Sequence, residues 1–139
     1  MTPDRLFDIA SSVVLIGWLA LVLAPLRRAL AITVARSVAV ILSGGYFALL
    51  VAGLTGEGPP PGASFDSLEG VRLLLSTPQA LLAGWVHYLA FDLFVASWET
   101  GDAPASRVPH WLLLPCLVFT FVAGPIGLLL YFIIKAARR

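Results

Sequence analysis

The run Trp85-Val-His87-Tyr88-Leu-Ala-Phe91-Asp92-Leu-Phe94 gathers an acid, an imidazole, a phenol and three further aromatic rings into an otherwise apolar stretch that ends near Ser97. An ionised aspartate at the centre of a membrane helix costs about 2.5–3.5 kcal/mol on insertion scales. Asp92 is therefore expected to be paired, protonated or facing water. Two readings stand: a structural hydrogen bond or interhelical ion pair, and a proton donor or ligand contact. Tyr88, Asp92 and Glu99 fall at i, i+4 and i+11 and share one helical face. His87 and Phe91 share an adjacent face that leads towards Trp98. Tyr88 could donate to Asp92, His87 could take up a proton, and Trp85 and Phe91 could flank an elongated apolar ligand. The bland reading of Phe91 and Phe94 is simple packing.

A second group follows. Glu99, Asp102 and Arg107 lie between Trp98 and Pro109, and His110 opens the next apolar run. Asp102 and His110 could meet at the membrane surface over the mouth of a cavity, or Asp102 could be a solvated loop charge. A metal site from His110, Asp102 and Glu99 is the weak alternative, and none is assigned. The next run carries Pro115, Thr120, Gly124-Pro125, Gly127 and Tyr131. Pro125 removes a helical hydrogen bond and clashes with the carbonyl of Phe121. In lipid the opened turn must be satisfied internally, and Thr120 and Tyr131 are the candidates.

Counting removes several membrane chemistries. Desaturase-like di-iron sites need many histidines, and this chain has two. A retinal Schiff base needs a buried lysine, whereas Lys135 stands at a helix end. Bis-histidine haem needs His87 and His110 at one depth. In a hairpin His87 lies roughly 15 Å below the turn at 1.5 Å per residue, with His110 at the surface. There is no phosphate-binding glycine loop and no nucleophile elbow.

Composition defines what must hold these groups. Of 139 residues, 59% are hydrophobic and 12% charged, against roughly 45–50% and 25% in soluble proteins. Mean hydropathy is +0.92. A soluble domain of this size needs more polar surface, and a disordered chain would be charge-rich. Net charge of +1 offers no nucleic-acid footprint. The single cysteine, Cys116, excludes an internal disulfide and a cysteine-based metal cluster. The expected architecture is an all-α membrane protein, one membrane domain over the whole chain. Four transmembrane helices are expected at about Leu6–Leu26, Val34–Leu54, Pro78–Ser97 and Pro109–Ile134. Thr77 before Pro78, and Val108 before Pro109, put prolines at first helical positions. Gly56 to Gly62 reads as a loop. Asp66 and Glu69 suggest a variant capping box opening a short interfacial helix through Leu75. Gly44 and Gly45 offer a place for close helix approach.

Arg27 and Arg28 after the first span fit an anchor better than a cleaved signal. With no transit sequence ahead of the first span, the expected location is the bacterial inner (cytoplasmic) membrane. With four spans, Arg27, Arg28, Arg36 and Arg107 share one side, and Arg5, Arg72, Lys135, Arg138 and Arg139 the other. Four against five leaves the positive-inside rule undecided. The first-helix arginines and the C-terminal basic cluster together require an odd number of spans.

The stretch from Trp85 to Phe94, continuing through Trp98, Asp102, His110, Pro115, Thr120 and Gly124-Pro125-x-Gly127-Leu128-Leu-x-Tyr131, resembles the abscisic-acid-deficient-four-like family. These are small membrane proteins named for a plant member needed to form neoxanthin from violaxanthin. The resemblance implies a carotenoid or other isoprenoid ligand and isomerisation of an epoxide to an allene. That reaction needs an acid and a base but no redox cofactor. Asp92 would serve as acid, His87 as base and Tyr88 as orienting group. Trp85, Phe91, Trp98, Asp102, His110, Thr120, Pro125 and Tyr131 would line the ligand. Two other classes stay open: a non-catalytic membrane subunit, acting as a homo-oligomer or with a partner enzyme, and a small transporter.

Overall fold

The computed structural model describes residues 1–56 and 58–138; Glu57 of the expected loop and Arg139 of the C-terminal cluster lie outside them. Six helices follow in order: α1 (Pro3–Val22), α2 (Arg28–Thr55), α3 (Leu68–Leu74), α4 (Pro78–Asp102), α5 (His110–Ala123) and α6 (Pro125–Ala137). The all-α expectation holds among the described residues. The number of spans does not. Only α1, α2 and α4 are long and apolar enough to cross a membrane. The run expected as the fourth span is cut in two at Gly124, and neither α5 nor α6 is long enough to cross.

Local chemistry explains the starts. Thr2 and Thr77 cap α1 and α4 by accepting from the backbone N–H of Arg5 and Ala80, each ahead of a proline in the first turn. Ser67, rather than Asp66, caps α3. Glu69 turns instead to Arg72 at 2.6 Å, whose guanidinium holds that carboxyl below its ordinary range. The helix α2 begins six residues before the expected Val34, and α4 runs past Ser97 to Asp102. That extension brings Glu99 into a membrane helix.

The core lies where α1, α2 and α4 meet. Val14, Leu21, Ala35, Leu42, Leu89, Leu93 and Ala96 pack there. Gly17 lets α1 approach α4 closely, because a Cβ at that position would lie 2.5 Å from Leu93 Cδ2. In lipid such contacts act by van der Waals packing rather than by escape from water. The outward faces, with Leu15, Leu19, Val40, Phe47 and Phe91, stay exposed as a lipid-facing surface requires.

The helices α5 and α6 form a hairpin instead of a continuous rod. Gly124 meets the middle of α4 at Asp92, yet Tyr131 and Lys135 both bond to Asp102 at the α4 end where α5 began. Arg138 Nε donates to the Arg107 carbonyl at 3.3 Å, beside the start of α5. Gly127 allows the arms to close, since a Cβ there would overlap Thr120 and the Cys116 carbonyl. Each arm rises about 20 Å at 1.5 Å per residue, and the hairpin dips into the apolar layer and returns. The proline expected to kink a helix thus starts a new one running the other way.

This reversal moves the C-terminal cations to the opposite end. Arg27, Arg28, Arg36, Arg107, Lys135 and Arg138 gather at one end, called here the basic end. Arg5 and Arg72 stand among Asp4, Asp8, Asp66 and Glu69 at the other, the acidic end.

Candidate functional site

Tyr88, Asp92, Glu99 and Asp102 of α4 meet Thr120, Gly124 and Tyr131 along the seam between α4 and the α5–α6 hairpin. The helical period places Tyr88, Asp92, Glu99 and Asp102 on that side of α4. The tip of the hairpin lies against Asp92, and a Cβ on Gly124 would be 2.5 Å from Asp92 Oδ1. Only glycine leaves room for the carboxyl. Asp92 Oδ2 is buried and has no hydrogen-bond partner among the described residues. Tyr88 donates its hydroxyl to the Phe121 carbonyl at 3.2 Å. That is the carbonyl which Pro125, lacking an N–H, leaves free at the end of α5.

Glu99 is 0% exposed, as is Thr120, whose hydroxyl donates to both of its oxygens at 3.3 and 3.4 Å. No cation faces Glu99 among the described residues. Nearer the basic end, Asp102 Oδ2 accepts from Ser106, the Tyr131 hydroxyl and Lys135, each at 2.6 Å. Tyr131 is fully buried and meets Trp98 edge-on, with ring centroids 5.7 Å apart. Lys135 also lies over the Trp98 ring at 5.7 Å. Two of these three charge-assisted hydrogen bonds, from Tyr131 and Lys135, fasten the returning arm to α4.

At the acidic end a cleft of about 570 Å³ opens between α1 and α4, with Phe7, Trp85 and Tyr88 among its walls. Its rings form a ladder: Phe7 to Trp85 at 5.4 Å, then Trp85 stacked on Tyr88 at 5.4 Å. Trp85 Nε1 donates to Ser11 Oγ at 3.1 Å, which holds the ladder in place. Tyr88 ends the ladder one helical turn from Asp92.

The remaining candidates lie elsewhere. His87 is exposed on another face of α4, stacked on Phe91 at 4.5 Å and 5.4 Å from the Tyr46 ring. The structure thus joins Tyr88 to Asp92's side of the helix and leaves His87 off it. His110 does not meet Asp102; its Nε2 bonds to the Val22 carbonyl at 2.9 Å, tying α5 to the end of α1. Pro125 occupies the first turn of α6. Among the described residues no three His, Cys, Asp or Glu side chains form a group that could hold a metal ion.

Two participants escaped the sequence reading. Glu99 counted as a connection charge because the span ended at Ser97, although its i+11 spacing from Tyr88 marked the shared face. Lys135 counted as a helix stop, and only the reversal at Gly124 brings it to Asp102.

Neither a curated protein nor a solved structure matches the chain. The family model described as ABA DEFICIENT 4-like matches residues 5–131, from the first turn of α1 to the buried tyrosine of α6. With a multi-span helical architecture and a match over most of its length, this chain belongs to the ABA DEFICIENT 4-like family.

Proposed function

We propose that the protein binds a carotenoid or related isoprenoid in the cleft between α1 and α4, and that Asp92 acts on an epoxide end group as acid. The observation that carries this reading is an unpartnered, buried carboxyl oxygen, Asp92 Oδ2, one helical turn beyond Tyr88, which lines the ring-walled cleft. Phe7, Trp85 and Tyr88 offer flat apolar surfaces to a polyene, and the Tyr88 hydroxyl stands beside the acid. Protonation of the epoxide oxygen breaks one C–O bond. Loss of a proton from a nearby carbon then completes the allene, with no change in oxidation state.

One carboxyl suffices for both steps: Asp92 gives its proton to oxygen, and the carboxylate left behind removes the carbon-bound proton. The alternative assigns the second step to His87, which faces away from Asp92. Co-expression in a carotenoid-producing host tests both. Asp92→Asn is expected to lower product pigment at least about 100-fold, the scale of general acid catalysis, with protein level unchanged. An unchanged pigment profile removes Asp92 from the chemistry. His87→Ala keeps activity if Asp92 performs both steps and loses it if His87 is the base. Absorption spectroscopy and mass spectrometry of gently purified protein identify the ligand class.

Gly44 and Gly45 favour a second reading, because both present open space on the outer face of α2. A second copy or a partner membrane enzyme could pack there, making the chain a non-catalytic isoprenoid-binding subunit. Activity that appears only on co-expression with a partner, and survives Asp92→Asn, supports that reading. On either, the positive-inside rule places the basic end in the cytoplasm and the cleft towards the outer leaflet of a cytoplasmic membrane.

A further inference from the structure

The seam between α4 and the hairpin holds more proton-carrying groups than one acid requires. At the basic end a cavity of about 470 Å³ is lined by Asp102, Ser106, Arg107, Lys135 and Arg138. Asp102 stands in its wall, and the buried Tyr131 donates to Asp102 from inside at 2.6 Å. Glu99 lies one turn deeper, fully buried, with the Thr120 hydroxyl on both of its oxygens. Next to Thr120 in the chain is Phe121, whose carbonyl accepts from Tyr88, one turn from Asp92. Asp92 and Glu99 are about 10 Å apart along the axis, and Glu99 and Asp102 about 4.5 Å. Opposite this face, the α1–α2–α4 interface is built mainly from leucine, valine and alanine and presents no carboxyl among the described residues. The Asp102 cluster fastens the α6 arm, whereas Glu99 meets the hairpin only through the long Thr120 contacts and faces no cation among the described residues.

The geometry points to a proton path along this seam, running from the cavity at the basic end through Asp102, Tyr131 and Glu99 to Asp92. As proposed, the path crosses the two turns between Glu99 and Asp92 on a short chain of waters beside the Thr120 hydroxyl. Each transfer is a hop. A group accepts a proton on one lone pair and releases another, so no group changes its net protonation and nothing is oxidised. The inference rests on Asp92 being the acid of the proposed reaction. Asp92 must carry its proton before a substrate arrives, and its buried Oδ2 has no hydrogen-bond partner among the described residues from which to take it.

Infrared spectroscopy of the full-length protein, reconstituted in phosphatidylcholine–phosphatidylglycerol bilayers, tests the path without substrate. On a switch from H₂O to D₂O, the Asp92 carboxyl C=O band, identified as the one lost in Asp92→Asn, shifts as its proton exchanges. Glu99→Gln keeps size and the Thr120 contact but cannot relay a proton. Tyr131→Phe removes one hydroxyl. Each is expected to slow the shift at least about tenfold in folded protein, with a lower unfolding temperature in Tyr131→Phe from the lost bond to Asp102. If Glu99→Gln does not fold, Tyr131→Phe decides alone. Wild-type exchange rates in the folded variants overturn the path, as does the absence of any carboxyl band assignable to Asp92. Slowed exchange alongside unchanged pigment conversion in Asp92→Asn keeps the path and removes the reaction assigned to its end.

Discussion

The two sides of α4 hold their neighbours by different means. Towards α1 and α2 it presents Val86, Leu89, Ala90, Leu93 and Ala96, and the contact is mainly close packing helped by Gly17, with hydrogen bonds from Trp85 to Ser11, Arg36 to Ser97 and Arg28 to the Thr100 carbonyl. Towards the hairpin it presents Tyr88, Asp92, Glu99 and Asp102, each bonded to or pressed against a particular group on α5 or α6. A crossing helix satisfies its own backbone, so shape is enough to seat it. A hairpin that reverses inside the apolar layer exposes the end of one helix and the start of another. Those groups need polar partners, and α4 supplies them. The difference teaches that the carboxyls of α4 follow the irregular backbone.

The sharpest way to break this comparison is topological, because its outcome is all or none. Cysteines at Ala105 and Ala137 are expected to react with a membrane-impermeant label from one side, and a cysteine at Ser64 only from the other. Cys116 is buried and stays silent. Labelling of position 137 together with position 64 would mean that the last apolar run crosses, and the hairpin would be lost. Next in size is Gly127→Val, which forces a side chain into the Thr120 backbone and the Cys116 carbonyl. No folded, monodisperse protein is expected on size-exclusion chromatography. Asp102→Ala leaves Lys135, Tyr131 and Ser106 without their shared acceptor. A loss of about 2 kcal/mol is expected, the scale of a hydrogen bond to a charged group, read as a lower unfolding temperature and faster proteolysis after α4. The smallest effect belongs to the outer face of α2, away from both sides of α4. Gly44→Ala meets nothing within 4 Å and is expected to raise stability by up to about 1 kcal/mol, the helix-propensity difference. Destabilisation there would mean that the outer face of α2 is already covered by another chain.

Much of the crossing framework was legible from residue order. Apolar length marked α1, α2 and α4, and Thr77-Pro78 marked where α4 starts. The reversal was not legible, because hydropathy along Pro109–Ile134 is the same for a run that crosses once and one that dips and returns. The signs that disagreed with four spans were electrostatic: an even split of cations, and two preferences that together demanded an odd number. Moving Lys135 and Arg138 to the other end satisfies both. Asp92, Tyr88 and Trp85 were legible as site candidates because an acid and several rings stand out in an apolar run. Glu99 was hidden by its position. A charge near a helix end looks solvated unless a later segment folds back over it, as α5 does through Thr120.

The hairpin is short, and its tip stops beside Asp92 instead of going on to the acidic end. A fourth full-length helix on that seam would continue over the α4 turns that carry Trp85 and Tyr88. Because it ends early, these turns can be approached sideways from among the lipid tails. A compound dissolved in that leaflet would arrive by two-dimensional diffusion without crossing water. Its supply would be set by its ratio to lipid, and occupancy of the cleft would follow that ratio rather than any aqueous concentration.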